Sequence, residues 1–451
     1  MTTQPLWWDA VSATVRPPLV EDADVDVCIV GGGFTGLWSA YYLLQADPSL
    51  SVLVLESEHV GFGASGRNGG WVSALYPAPP EVLARTHGDA AARDQYAALR
   101  ESVHEVDRVV QTEGIDCGFR QGGTVVVARN RAQRERARAE VQHSTHWGIG
   151  TQWLEQSEAT HRLAAAGVLG ATYNPHCARI HPVRLVRGIA AAVERLGGRI
   201  AEHTTATRIQ DRTVHTTLGP LVRAHHVIRA TEAWTARLPD FARQVAPVYS
   251  LVVATEALSP GQWEQIGLAD AETFSEHRNV IVYGQRSVDD RLVFGGRGAP
   301  YHFRSGIRPE FDRNEKVFDT LRRSLRELLP GLDDVRFTHA WGGPLGIPRD
   351  WQPSVGYDPA TGLGWAGGYV GDGVALSNLA GRTVAELATG RITAISSLPW
   401  VQHLSRPWEP EPLRWLGINA GLQIASLADR EEHLTGRPAR LGRLLSLLTN
   451  H

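Results

Sequence analysis

The amino-acid sequence predicts an α/β fold: a parallel sheet covered by helices, interleaved with a second domain built on a more antiparallel sheet. Three observations carry this. Residues 25–56 read strand, glycine turn, helix, strand, as "VDVCIV", "GGGFTG", "LWSAYYLLQADP" and "SVLVLE". The middle of the chain is strand-rich, with "YSLVVATE", "NVIVYGQ" and "RLVFGGR", the last two separated by the turn "SVDD". Alternation returns in "LGWAGGYVGDGVALSNLAGRTVAELATG", a strand and then a helix.

Taken in order, residues 1–24 form a Pro-rich, acidic arm that leads into the first strand. Pro48 stops the first helix after Asp47. Residues 81–150 read as mostly helical, interrupted by the strand "GGTVVVA", with "RAQRERARAEVQ" as an exposed helix face. The helix "HPVRLVRGIAAAVERLGG" ends on glycine and feeds the strand "RIAEHTTATRI", and "HHVIRAT" is a further strand. This places the nucleotide-binding domain at 25–80, 165–240 and 336–398 and the substrate domain at 81–164 and 241–335. A helical tail fills 399–451, where Leu441, Leu444, Leu445 and Leu448 recur at helical spacing and dock on the body of the protein or, alternatively, on a membrane surface.

Composition narrows the class. The chain has 451 residues, 43% apolar and 21% charged, which suits a globular protein of two or three domains. A net charge of −3 leaves no basic excess to neutralise phosphates, so nucleic acid is not an expected partner. Lys316 is the sole lysine and lies in a charged helix-like stretch, which leaves Schiff-base chemistry without a good candidate. Cys28, Cys117 and Cys177 form neither a disulfide framework nor a C-x-x-C pair. No basic and apolar leader opens the chain, and no apolar run nears the roughly 20 residues that a bilayer span needs. A cytoplasmic protein is the expectation.

Gly31, Gly33 and Gly36 give G-x-G-x-x-G between strand and helix. The first permits the tight turn, the second lets backbone approach a pyrophosphate, and the third lets helix and strand touch. Phe34 and Thr35 sit at the helix N-terminus, whose free N–H groups and dipole favour phosphate. Glu56 closes the second strand, followed by Ser57, where a carboxylate can take both hydroxyls of a ribose and repel a 2′-phosphate. A Rossmann-like dinucleotide site follows. The next stretch, "GFGASGRNGG", separates NAD from FAD. A nicotinamide enzyme has no general need for a second glycine-rich loop, whereas the ribityl chain and isoalloxazine of FAD run on past the pyrophosphate. Gly63, Ala64, Ser65, Arg67, Asn68, Gly69 and Gly70 would lie beside them, with Ser65 near a phosphate oxygen.

The run "DVCIVGGGFTGLWSA…VLVLES…GFGASGRNGG" resembles the D-amino acid oxidase superfamily of FAD enzymes, and "GASGRNGG" with the aromatic arm most resembles its gamma-glutamylputrescine oxidase-like branch. Further similarity lies in "IAEHTTATRI", "VIRATEAWT", "WGGPLG…QPSVG" and "GGYVGDGV". The resemblance implies a D-amino acid oxidase/glycine oxidase-like fold. It also implies FAD contacts at Ala206, Thr231, Gly342, Gly368, Tyr369, Gly371, Asp372, Gly373 and Val374. In this family the last of these lie at a helix N-terminus by the flavin, and Asp372 can cap that helix.

Departures from the family pattern matter equally. Arg67 stands where some relatives attach flavin through histidine, and no cysteine falls in "WGGPLGIPRDWQPSVG", so the FAD is expected to be non-covalent. The strand "RLVFGGR" lacks the lysine that helps oxygen react in sarcosine oxidase-like members. Leu345 occupies the position where α-amino-acid members carry a carboxylate-binding arginine, with Arg349 and Arg297 as alternative clamps. The expected activity is oxidation of a primary or secondary amine to an imine, with oxygen or an electron carrier as acceptor. A D-amino acid or imino acid dehydrogenase or oxidase is the alternative, and a flavin-bound partner-binding module a third reading. Tyr283, His302, Trp341, Leu345 and Tyr369 are the candidate pocket residues. No metal is expected.

Overall fold

The computed structural model describes residues 2–9, 11 and 14–439. The first strand β1 (Ala23–Val30) is flanked in parallel by β2 (Val52–Leu55) and β3 (Leu221–Arg229). Among the described residues their sheet has eight strands. It runs Ser354–Asp358, Leu363–Gly367, β3, β1, β2, Arg199–Ala201, with Ala206–Gln210 and Thr213–Thr216 added beside β3. The alternation read from the sequence is thus a doubly covered parallel core: Val27, Cys28 and Ile29 are fully buried because both faces of β1 are packed.

Helix α1 (Phe34–Ala46) covers one face together with α2 (Gly373–Ala388). The two helices meet almost backbone to backbone, since a β-carbon on Gly381 would lie 2.6 Å from Cβ of Trp38. Trp38 is itself fully buried, so neither helix has room to withdraw.

The second sheet, also of eight strands among the described residues, is largely antiparallel. One end of it is made by β6 (Phe337–Ile347) at the edge, then β4 (Ala246–Ala257) and β5 (Arg291–Gly296). β6 pairs with β4 from Ala246↔Ile347 to Thr255↔Phe337, nearly its whole length. Two segments expected in the nucleotide domain therefore lie in this sheet: β6, and the strand Gly170–Asn174, which pairs with Thr124–Ala128. The cause is covalent economy. The chain passes between the two sheets several times, and these strands complete the antiparallel edge before it returns.

The aromatic arm is fixed along the edge of this sheet. Thr2 donates to the Thr338 carbonyl at 3.0 Å and accepts from the Ala340 N–H at 3.0 Å, extending β6 outward. Asp9 meets His339 at 2.9 Å. The tail expected from residue 399 contains α3 (Leu413–Thr435), which lies against the second sheet. Asn419 exchanges two hydrogen bonds of 3.1 Å with the Tyr301 backbone. Asp429 accepts from the N–H groups of Asn279 and Val280 at 2.6 and 2.9 Å. Glu432 pairs with Arg136 at 2.7 Å. The leucines at 441–448 lie outside the described residues. No described helix is long and apolar enough to cross a membrane.

The α1–α2 contact makes a direct prediction. Gly381→Val forces the helices apart and destabilises the protein by about 1–3 kcal/mol, read as a lower thermal midpoint, whereas Gly261→Ala, where a β-carbon meets nothing within 4 Å, is far milder.

Candidate active site

Three backbone turns, each with its own clamp, converge at the carboxyl ends of the parallel strands. The first leaves β1. Gly31 has φ +116°, and a β-carbon there would lie 2.5 Å from the Ala230 carbonyl oxygen. A β-carbon on Gly36 would run into the carbonyl oxygen of Gly31, and one on Gly33 would lie 2.8 Å from Oγ of Ser65. Ser65 Oγ accepts the Phe34 N–H at 2.8 Å, at the free N-terminus of α1. Glu56 accepts from the N–H groups of Gly32 at 2.7 Å and Glu58 at 3.0 Å. Burial pushes its carboxyl up to about 6, against the pull of those donors, so it is ionised at neutral pH. The Thr204 N–H bonds the Glu56 carbonyl at 2.8 Å, and Ser57 Oγ lies 2.8 Å from Thr205 Oγ1, bringing Ala206 to the acid end of the site.

The second turn is "GFGASGRNGG", and its flexibility is only apparent. Arg67 reaches back to the Phe62 carbonyl at 2.8 Å, donates to the Gly342 carbonyl at 3.1 Å and pairs with Asp312. Asn68 donates to the Ser65 carbonyl at 2.9 Å and accepts from the Gly70 N–H at 2.8 Å. Two indoles hold adjacent carbonyls from outside. Trp341 Nε1–H donates to Arg67 and Trp7 Nε1–H to Asn68, both at 2.8 Å, with the two rings edge to face at 6.3 Å. Gly69 has no side chain because Tyr283 fills its place: a β-carbon would lie 2.5 Å from the ring. Gln285 donates to the Gly69 carbonyl at 2.7 Å. Gly63 faces Trp234, 3.3 Å from where a β-carbon would stand.

The third turn, Gly367–Gly371, precedes α2. Tyr369 OH lies 3.0 Å from Thr35 Oγ1, tying this turn to the N-terminus of α1. Glu232, next to Thr231, accepts from the N–H groups of Gly346, Gly368 and Tyr369 at 2.6, 3.1 and 3.2 Å. Burial lifts its carboxyl to about 7. The residues present fit a dinucleotide. Glycines keep β-carbons out of the cradle, the N-termini of α1 and α2 stand at its turns, and the half-buried carboxylate of Glu56 is available to hold a ribose.

A cavity of about 1550 Å³ opens beside the third turn. Its inner end is lined by Val248, Arg297, Leu345, Ile347 and Trp351, and its roof is α3. Gly417 and Gly421, one helical turn apart, face it, and a β-carbon on either would meet nothing within 4 Å. Charged groups such as Glu276, Arg278 and Asp429 line the outer end.

These positions revise several expectations. Leu345 and the alternative clamps Arg297 and Arg349 do line the cavity. Trp341 does not. Its indole is used on the Arg67 carbonyl, and it is 1% exposed. Tyr283 is spent on Gly69 and on Ser250 at 2.9 Å, and Tyr369 on Thr35. His302 stacks flat on Phe311 at 3.4 Å, away from the cavity lining. Asp372 stands at the N-cap of α2 but makes no capping hydrogen bond. Burial raises its carboxyl to about 6, and its main electrostatic partner is Arg297. Glu232, Trp7 and the roof helix were not anticipated. An acid inside the turn-like "ATEAW" was the one available signal for Glu232. No described cluster of side chains could hold a metal ion.

Comparison with known proteins agrees with this geometry. The family model described as FAD dependent oxidoreductase (DAO) matches residues 26–387, and the chain belongs to that family. It is 31% identical to the gamma-glutamylputrescine oxidoreductase of Escherichia coli (strain K12), over 88% of this chain and 93% of that one. It is 29% identical to the glycine oxidase of Geobacillus kaustophilus, over 83% and 96%. The crystal structure of a glycine oxidase from Geobacillus kaustophilus superposes with a TM-score of 0.66 at 26% identity, covering 85% of this chain and all of that one. The enzyme is an FAD-dependent oxidoreductase of a family that acts on amines and amino acids.

The first turn predicts that Gly36→Val abolishes FAD binding, because the added methyls displace α1 from β1. The yellow colour is lost on purification while circular dichroism stays that of a folded protein. In the native enzyme acid precipitation releases all of the flavin to the supernatant, as Arg67 is committed to Asp312 and all three cysteines are buried.

Proposed function

We propose that the protein oxidises the C–N bond of a primary or secondary amine to an imine, which water hydrolyses to an aldehyde or ketone. The reading rests on one observation above all: the large cavity is lined by Leu345 and Arg297, which stand against Gly371 just before α2, 3.5 and 3.1 Å from where its β-carbon would be. FAD bound in the cradle would take the hydride from the carbon that bears nitrogen and return the electrons to oxygen as hydrogen peroxide.

The residues of the chain do the rest. Val248, Leu345, Ile347 and Trp351 make the inner end of the cavity apolar, which excludes water and favours the neutral amine over its ammonium form. The N-terminus of α2 offers positive dipole to negative charge that grows during reduction. No protein nucleophile is required.

The lining also favours an amine over an α-amino acid. Leu345 cannot pair with a carboxylate, and the two nearby arginines already have partners. Arg297 faces the carboxyl of Asp372, donates to the Val370 carbonyl and lies 5.6 Å from the Trp351 ring centroid. Arg349 is paired with Glu409 at 2.9 Å. A carboxylate left without a cation in such a site is costly to desolvate. The cavity exceeds the roughly 300–1,000 Å³ of ordinary small-ligand sites, which suits an amine borne on an extended stem. The E. coli relative is named for such a compound, gamma-glutamylputrescine.

The prediction is that amines bleach the flavin anaerobically, and that air then restores the colour with one peroxide per turnover. Tryptamine reduces the flavin faster than either enantiomer of tryptophan, by roughly a hundredfold in kcat/KM given several kcal/mol for an unpaired carboxylate. Faster reduction by tryptophan overturns the amine reading in favour of an amino-acid oxidase. Reoxidation only by an added carrier makes the enzyme a dehydrogenase.

A further inference from the structure

The turn into α2 has an unusual backbone for its sequence. Gly368 and Gly371 lie at φ +74° and +110°, which glycine accepts freely. Between them Val370 lies at φ +57°. A β-branched residue in the left-handed region is a true outlier, because its branched Cβ crowds the neighbouring carbonyl. Val370 is also 2% exposed, packed with Ala246, Ile347, Tyr301 and Trp408, so its side chain holds it there and cannot relax outward. A strained turn of this kind persists only where its surroundings over-determine it.

The surroundings are two opposite charges on opposite polar edges of the same peptide stretch. The Glu232 carboxylate takes the N–H groups of Gly368 and Tyr369 with one oxygen and that of Gly346 with the other. The Arg297 guanidinium donates to the carbonyl of Val370. Glu232 itself lies at φ +43°, a conformation that lets its short backbone reach place the carboxylate inward. The two residues come from different parts of the chain, Glu232 after β3 and Arg297 immediately after β5, and Gly346 belongs to β6. The clamp thus joins the parallel-sheet layer, the antiparallel sheet and the turn.

We propose that Glu232 and Arg297 are positioning residues that hold the Gly368–Gly371 turn in its strained form, and so fix the N-terminus of α2 against the flavin. Only the last clause rests on the placement of FAD proposed above. The groups that face the clamp are Asp372, coupled to Arg297, and Tyr283 and Tyr369, whose hydroxyls are bonded to Ser250 and Thr35. Neither Glu232 nor Arg297 needs to touch substrate.

The test uses holoenzyme at about pH 8.5, above the value of about 7 for Glu232. In Glu232→Gln the amide keeps one acceptor oxygen and its N–H₂ must face a backbone N–H, so at least one of the amides of Gly346, Gly368 and Tyr369 exchanges hydrogen at least about tenfold faster than in the native protein. The same substitution costs about tenfold in FAD affinity, and less when combined with Val370→Gly, which removes the strain that the clamp opposes. Glu232→Gln raises the flavin midpoint potential and Arg297→Met lowers it, while Arg297→Lys stays near native. Opposite shifts follow from opposite charges and are not produced by general loosening. Unchanged exchange at all three of Gly346, Gly368 and Tyr369, or losses with Val370→Gly that simply add, overturn the clamp. Faster exchange with unchanged FAD affinity and potential keeps the clamp and overturns the placement of the flavin. The Arg297 pair decides the matter in the same way if Glu232→Gln does not fold: an unshifted potential and unaltered exchange in Arg297→Met overturn the proposal.

Discussion

Everything at this site depends on backbone lying directly against backbone where α1 leaves β1. Gly36 and Gly31 touch so closely that a single β-carbon would displace the helix. That contact sets the height of the α1 N-terminus above the sheet, and therefore where an anion can sit. The α1–α2 crossing at Gly381 then sets the height of the second N-terminus, the one at the inner end of the cavity. Both helix N-termini are thus positioned through α1, by contacts that leave no room for a side chain on Gly36 or Gly381.

Close backbone approach removes side chains that would otherwise lock the loops, so the locking comes from elsewhere. The loop at 61–70 is fixed by indole and amide N–H groups from residues 7, 285 and 341, which donate to its carbonyls, and by Asp312, which accepts from the loop's own Arg67. The turn at 367–371 is fixed by a carboxylate on its N–H groups and a guanidinium on its carbonyl. A glycine-rich segment can be rigid when its peptide groups, instead of its side chains, carry the contacts. This also explains the arm. Trp7 is buried and bonded to the loop, which places a segment far from the cradle in sequence among the parts that shape it.

The sequence was legible where a function is encoded by local spacing. Gly31, Gly33, Gly36 and Glu56 lie within one strand–helix–strand unit, so their roles follow from turn geometry alone. Leu345 reached the cavity as counting suggested. Legibility failed where a side chain's partner is remote. Trp341 looked like a pocket wall, but an indole N–H seeks a carbonyl, and the one it found is 274 positions away. Asp372 looked like a helix cap by position, yet its carboxylate faces Arg297. Glu232 looked like an ordinary turn acid, since none of its three donors lies within a hundred positions of it. The strand β6 lies in the other layer from the one expected because its pairing with β4 spans the intervening residues 258–336.

The buried acids show that this architecture is built for binding at some expense of stability. Glu56 and Glu232 are both lifted above the ordinary carboxylate range by burial, to about 6 and about 7. A carboxyl whose folded value is raised stabilises the fold below its unfolded value, near 4.5 for glutamate, and that contribution is lost as pH rises through the folded value. As pH rises through these values the fold therefore takes on two carboxylates that it would more readily hold as acids. Their return is specific: Glu56 holds the N–H groups of Gly32 and Glu58 at the first turn, and Glu232 gathers three N–H groups into a turn that its own sequence disfavours. A ligand that binds only the folded form offsets such a deficit by mass action. Apoprotein and holoprotein are then held together by different balances of the same groups, and the cofactor serves as part of the fold as well as of the chemistry.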